Sequence, residues 1–171
     1  MGMDVMGVEP KSEVGSYFRN NVWWWRPLWN YCCEVSPEAR SVKNGHTNDG
    51  DGLDSENAKK LAQTLLTELG TGRTKKYETE YRKQISELPM QPCDLCNSTG
   101  IRTDEVGLTN NQDIKKLSPE QQALYGRTRG WCNGCDGAGE KPPFATQYPF
   151  SVENVQEFAE FLIDCGGFEI C

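Results

Sequence analysis

The sequence predicts a predominantly helical α+β fold with a small cysteine hairpin module inserted into it. Three observations carry that expectation. Several segments repeat apolar residues at helical spacing between clear caps and stops. Residues 92–141 break that pattern with two C-x-x-C pairs and a cluster of glycines. The C-terminal "FEIC" follows the last helical segment and its two glycines as a short terminal strand. At 171 residues with 36% hydrophobic content, the chain is long enough for one core domain and a small appended module.

The elements follow in chain order. "SEVGSYFRNNVWWWRPLWNYCCEVSPEA" predicts helix, with Ser12 as cap, Phe18, Val22, Trp25 and Trp29 on one face, and a break or restart at Pro27. "KNGHTNDGDG", residues 43–52, is a polar, glycine-rich loop. Asp54 or Ser55 then caps a helix whose apolar face is Ala58, Leu61, Ala62, Leu65, Leu66 and Leu69, ended by Gly70 and Gly72. "RTKKYETEYRKQISEL" continues as a more solvated helix. Within the cysteine region, "LSPEQQALYG" is a short helix with Ser118 as cap, Pro119 at its first position and Gly126 at its end. Ser151 caps the last helix, which turns Val155, Phe158, Ala159 and Leu162 inward before Gly166 and Gly167 stop it. Residues 1–91 and 142–171 thus form one helical core domain, and 92–141 the inserted module.

Composition narrows the function. Net charge is -7 and the pI about 4.8, so the whole-molecule field repels polyanions. No stretch is long or apolar enough to span a bilayer. The start carries Asp4 and Glu9 where a secretory leader has a basic and then an apolar region. Gly2 begins a myristoylation-like start, but Met6 stands where that signal has Ser or Thr. The expected location is the cytoplasm, where eight cysteines read as thiols and metal ligands rather than a disulfide framework.

Cys93 and Cys96 form one C-x-x-C, and Cys132 and Cys135 the other. Each such turn delivers two thiolates from one bend, and two turns complete a tetrahedral zinc site. Gly100 after the first pair, and Gly134, Gly137 and Gly139 in the second, permit positive φ and let backbone amides point at sulfur. Redox chemistry wants a lone pair of cysteines at a helix N-terminus; here there are two matched pairs, each followed by glycine. One structural zinc per chain is therefore expected, with four protein ligands closing its shell.

"CDLCNSTG" and "CNGCDGAG" resemble two copies of the C-x-x-C-x-G-x-G repeat of the DnaJ-type central cysteine-rich domain. The second copy matches fully, whereas the first has Ser98 in place of a glycine. That family has four repeats and two zinc ions, so two repeats imply one. The resemblance implies a zinc hairpin and contact with other proteins, and does not extend to a J-domain His-Pro-Asp. Across most of its length the chain also resembles a group of small, uncharacterised proteins of phage and bacterial genomes. The carrying stretches are "MGMDV", "FRNNVWWWRPLW", "NDGDGL", "GRTRGWCNGC", "YPFSVENVQEFAEFL" and "CGGFEIC". That resemblance implies no activity.

Other motifs point less sharply. "WWWRPLW" holds Trp23, Trp24, Trp25 and Trp29 with Arg26. Three consecutive tryptophans cannot all face inward from one helix, because each residue turns it by about 100°. Trp25 and Trp29 read as core. Trp23, Trp24 and Arg26, with Arg127 and Arg129 beside the second knuckle, are the candidate partner-binding residues. "HTNDGDGLD" fails as an EF-hand: with Gly52 at the invariant glycine, Thr47 takes the first ligand position and Ala58 the bidentate one. His46, the single histidine, belongs to no recognisable nucleophile motif. "GTGRTKK" lacks P-loop spacing. Basic residues across Arg73–Lys83, with Tyr77 and Tyr81, and across Arg127–Arg129, offer a nucleic-acid or nucleotide contact as the alternative to a solvated helix face. The expected function is a non-enzymatic, zinc-stabilised protein–protein interaction or accessory factor of phage or mobile-element origin. A nucleic-acid- or nucleotide-binding accessory protein is the alternative. The sequence assigns no catalytic residue and no cofactor beyond the metal.

Overall fold

The computed structural model of the chain describes residues 2–109, 115–126 and 128–171. In order these are β1 (Gly2–Gly7), β2 (Tyr17–Asn21), α1 (Val22–Val35), α2 (Pro37–Ser41), β3 (Asp51–Asp54), α3 (Ser55–Gly70), α4 (Arg73–Ser86), β4 (Gln91–Pro92), α5 (Glu105–Thr109), β5 (Lys115–Lys116), α6 (Pro119–Tyr125), β6 (Arg129–Gly130), β7 (Glu140–Lys141), α7 (Val152–Asp164) and β8 (Gly167–Ile170). The fold is mixed, with helices and a small antiparallel sheet. The chain divides into two compact units, residues 1–86 with 145–171, and residues 87–144.

In the first unit, four antiparallel strands lie in the order β2-β1-β8-β3. Alternation sends Met3, Val5, Phe18, Leu53, Phe168 and Ile170 into the core, whereas Asp4, Tyr17 and Glu169 face the other way. Helices α1, α3 and α7 supply the apolar partners of that face. Trp25 and Trp29 stack at 5.3 Å between ring centroids, and Phe158 meets Trp25 edge-on at 5.6 Å. Ala58, Leu61, Ala62 and Leu65 of α3 and Val155, Ala159 and Leu162 of α7 complete the core.

Two expectations are corrected here. Residues 17–21 are a strand rather than the start of a helix. Val5 pairs with Phe18 and Gly2 with Asn21, so the hydrogen bonds of this segment go to β1. The helical spacing of Phe18 and Val22 spans a strand–helix junction, with Phe18 reaching the core from the strand. The cap is accordingly Asn21, whose side chain accepts from the amides of Trp23 and Trp24, and not Ser12. Nor does Pro27 break α1. It lies in the helix's second turn, where its missing N–H removes one hydrogen bond. A proline inside a helix costs about 3 kcal/mol, offset here by complete burial of Trp25, Leu28, Trp29 and Tyr31.

Helices α3, α6 and α7 start at Asp54, Ser118 and Ser151, each side chain accepting from the amide three residues on. Ser118 and Gln121 form a reciprocal capping box, and Gly126 ends α6 at φ 65°. Cys32 and Cys165 are buried in the core, Cys33 is half-buried, and Cys171 is exposed.

Helix α4 buries one charge. Glu78 is 2% exposed and receives Lys75, the Arg82 guanidinium at 2.7 Å and the backbone N–H of Val152 at the start of α7. Burial alone pushes this carboxyl up. The Lys75 hydrogen bond and the Arg82 charge outweigh it, so its pKa falls below the ordinary 4.5. A depressed carboxylate pKa stabilises the fold fully above the unfolded value. That contribution is lost as pH falls below about 4.5 and through the folded pKa. Melts recorded from pH 6 to pH 3 are expected to show a steeper acid decline for the wild type than for Glu78→Gln.

Candidate metal centre

Cys93, Cys96, Cys132 and Cys135 are all buried, and their sulfurs lie within 4.8 Å of one another. The Cys93–Cys132 sulfurs are 3.8 Å apart and the Cys96–Cys135 sulfurs 3.7 Å. Four thiolates bound tetrahedrally to an ion at about 2.3 Å stand about 3.8 Å apart, so the spacing suits one small tetrahedral cation. Among the described residues this is the single gathering of three or more His, Cys, Asp or Glu with metal-site spacing.

The two knuckles are the same structure repeated at an offset of 39 residues. The amide of Ser98 donates to the carbonyl of Cys93 at 3.1 Å, and that of Gly137 to Cys132 at 3.0 Å. Thr99 donates to Cys96 and Ala138 to Cys135, at 3.0 and 2.9 Å. Amides also aim at each sulfur: Leu95 at Cys93, Gly134 at Cys132, Gly100 at Cys96, and Gly139 at Cys135 at 3.2 Å. Four N–H dipoles thus face sulfur charge.

Glycine chemistry explains much of this repetition. Gly100 and Gly139 have φ of 74° and 84°, and a Cβ on either would stand 2.4 Å from a carbonyl oxygen of the opposite knuckle. Ser98 takes the left-handed conformation at φ 63°, as Gly137 does at 75°, so the serine in the first repeat leaves the turn intact. Gly134 has a different reason from the positive φ expected of it. It is absent from the left-handed set, and a Cβ there would come 2.6 Å from Leu95 Cδ1.

Thiol electrostatics differ among the four cysteines. Burial pushes Cys132 up to about 12 and raises Cys96. Cys93 moves the other way despite burial, because hydrogen bonds from Cys96 and the Leu95 amide favour its thiolate. Without a cation, four adjacent thiolates in a buried cluster repel one another, and soft sulfur donors suit zinc or iron rather than magnesium or calcium.

Sequence reasoning missed two residues that bridge the knuckles, Arg102 and Lys141. Each lies six residues beyond the second cysteine of its knuckle, and the 39-residue offset superposes them as it does the cysteines. The guanidinium of Arg102 donates to Asn133 Oδ1 at 3.0 Å, and Lys141 Nζ to Asp94 Oδ2 at 3.4 Å. Asn133 and Asp94 themselves correspond under the offset. Aligning "CDLCNSTGIR" with "CNGCDGAGEK" carries the signal.

The other candidates are dispersed. Trp23 and Trp24 are half-buried on α1; the Tyr148 ring lies 5.1 Å from the Trp23 ring and has the exposed Arg26 over it at 5.9 Å. Arg129 is exposed on β6, and Arg127 lies outside the described residues. Arg73, Lys75, Lys76 and Arg82 each face a carboxylate: Glu68, Glu78, Glu80 and Glu78. Tyr77 and Tyr81 pack on Phe150 at 4.8 and 5.9 Å. His46 does not meet the loop's acids, since Asp49 accepts from Thr47 and Asp51 from the amides of Asn44 and Gly52. No helix of the described residues is long and apolar enough to cross a membrane. No family model matches the sequence, no curated protein matches it, and no solved structure matches its fold.

Proposed function

We propose that the protein is a non-enzymatic accessory factor that acts by binding another protein, its cysteine unit held folded by one structural zinc. The observation that carries this reading is the closed set of four buried sulfurs. With four protein ligands, the ion has no open position for a water or substrate. The interaction part draws on the surface beside the knuckles. Leu88, Met90 and Leu95 are exposed there at 38%, 47% and 44%. Met90 and Pro92, with Ser98, Ala138, Gly139 and Glu140, line a groove of about 300 Å³. The DnaJ-type resemblance of the two knuckles implies the same kind of contact.

The nucleic-acid alternative has less support. The cations of α4 are paired within the chain, and residues 87–144 carry six Lys and Arg against eight Asp and Glu. A four-thiolate zinc adds two further negative charges to that unit. Purified protein is expected to carry about one zinc per chain by elemental analysis. Folded, metal-free protein, or iron in place of zinc, overturns the zinc assignment. Salt-sensitive retention on DNA or RNA would favour the alternative over protein binding.

A further inference from the structure

The two cations that cross between the knuckles have no part in ligation, and their arrangement is more than a surface ion pair. Arg102 leaves the first knuckle and reaches the residue between the cysteines of the second. Lys141 leaves the second knuckle and reaches the corresponding residue of the first. Their backbones are tied across as well. The Arg102 amide donates to the carbonyl of Trp131, just before Cys132, and Lys141 pairs with Gln91, two residues before Cys93. Separating the knuckles therefore breaks both side-chain contacts and both backbone ties.

Arg102 is held most firmly. Its side chain is only 11% exposed, against 35% for Lys141. Asp104 grips its guanidinium at 2.6 and 2.8 Å and is itself fixed by the Gly107 amide at 2.9 Å. Four thiolates around a divalent ion leave a net charge of about −2, and the charge of the largely buried Arg102, shared with Asp104, is felt at Cys132 and Cys93. Arginine suits the place because it stays charged and presents several fixed donors at once.

We propose that Arg102 and Lys141 are paired positioning residues that retain the metal, by compensating the charge of the four-thiolate centre and by cross-tying its two knuckles, with Arg102 the stronger of the two. The proposal rests on the metal reading above and goes beyond it by assigning the residues that set how readily the ion is lost. Residues just outside a metal's ligand shell typically change metal affinity by about 10–100-fold when replaced. Arg102→Met is placed in that range, Lys141→Met below it, and Arg102→Lys between Arg102→Met and the wild type, because lysine keeps the charge but not the fixed fork of donors.

The test uses the full-length zinc-loaded protein. Zinc transfer to a colorimetric chelator is timed for the wild type, Arg102→Met, Arg102→Lys and Lys141→Met. In parallel, cysteine alkylation by anionic iodoacetate is compared with that by neutral iodoacetamide. A cation beside the sulfurs favours the anionic reagent, so the ratio of the two rates reports charge rather than folding. Arg102→Met is expected to release zinc at least about 10-fold faster and to lower that ratio, and Arg102→Lys to restore the ratio while slowing release only part of the way. Lys141→Met, at a more exposed site, keeps the test decisive if Arg102→Met fails to fold; it is then expected to show smaller changes of the same sign. Wild-type release rates in the variants, or faster release with an unchanged ratio, overturn the proposal. A wild-type protein without metal would instead overturn the metal reading itself, so the two failures are distinct.

Discussion

Chelating the metal at neutral pH is expected to unfold residues 87–144 and to leave the unit formed by residues 1–86 and 145–171 folded. The buried groups explain the difference. The first unit holds a continuous core that includes Trp25, Trp29, Phe158, Phe161, Phe168 and Leu61. In the second unit the buried cluster is the four cysteines themselves, joined by few other buried apolar residues such as Ile101 and Leu117. Its ladders β4–β7 and β5–β6 are two residues long per strand, too short to persist alone. Structural zinc supplies about 10–16 kcal/mol in small cysteine domains, an amount that a unit with so little core cannot replace. Amide hydrogen exchange checks the expectation. After chelation, protection should vanish at Cys93, Ser98, Arg102 and Gly137, whose N–H groups close the knuckles, and persist in α3 and α7. Retained protection at the knuckles would show that the unit folds without the ion. Cys93→Ser should give the same pattern without a chelator.

The largest loss from a single change in the core is expected at Trp25. Its ring is fully buried, stacks on Trp29, meets Phe158 edge-on and donates from Nε1 to the Gly45 carbonyl at 2.7 Å. Trp25→Ala removes that ring and leaves the Gly45 carbonyl without its donor. Large aromatic truncations cost about 3–5 kcal/mol, which lowers the melting temperature of a unit this size by about 10 °C or more. Trp24→Ala, one residue earlier and half-buried, is expected to cost less than half as much. Thermal denaturation of the two variants provides the comparison. Equal losses would mean that the stacked Trp25–Trp29 pair is not central to the core.

Legibility in the sequence tracked how local each interaction is. Ser118 with Gln121, Asp54 with Asn57, and Ser151 with Asn154 cap helices through bonds spanning three residues, and the sequence displays both partners side by side. The knuckles are equally local, since a C-x-x-C turn and its following glycines lie within eight residues. β1 was illegible because it carries just two fully buried apolar side chains, Met3 and Val5, and its partner Ile170 is at the far end of the chain. β2 was read as helix because the strand and α1 face one core, and that coincidence mimics helical spacing. The burial of Glu78 was likewise hidden in a segment whose composition reads as solvated.

By itself, the sequence determined α3, α6 and α7 with their caps, and the four cysteines that gather into one cluster. Both follow from hydrogen bonds and turns closed within a few residues. Tertiary structure alone decided the order β2-β1-β8-β3, the passage of α1 through Pro27, and the crossing of Arg102 and Lys141 between knuckles. Each depends on partners brought together from distant parts of the chain. Their energy comes from burial and paired charge, which no local pattern encodes.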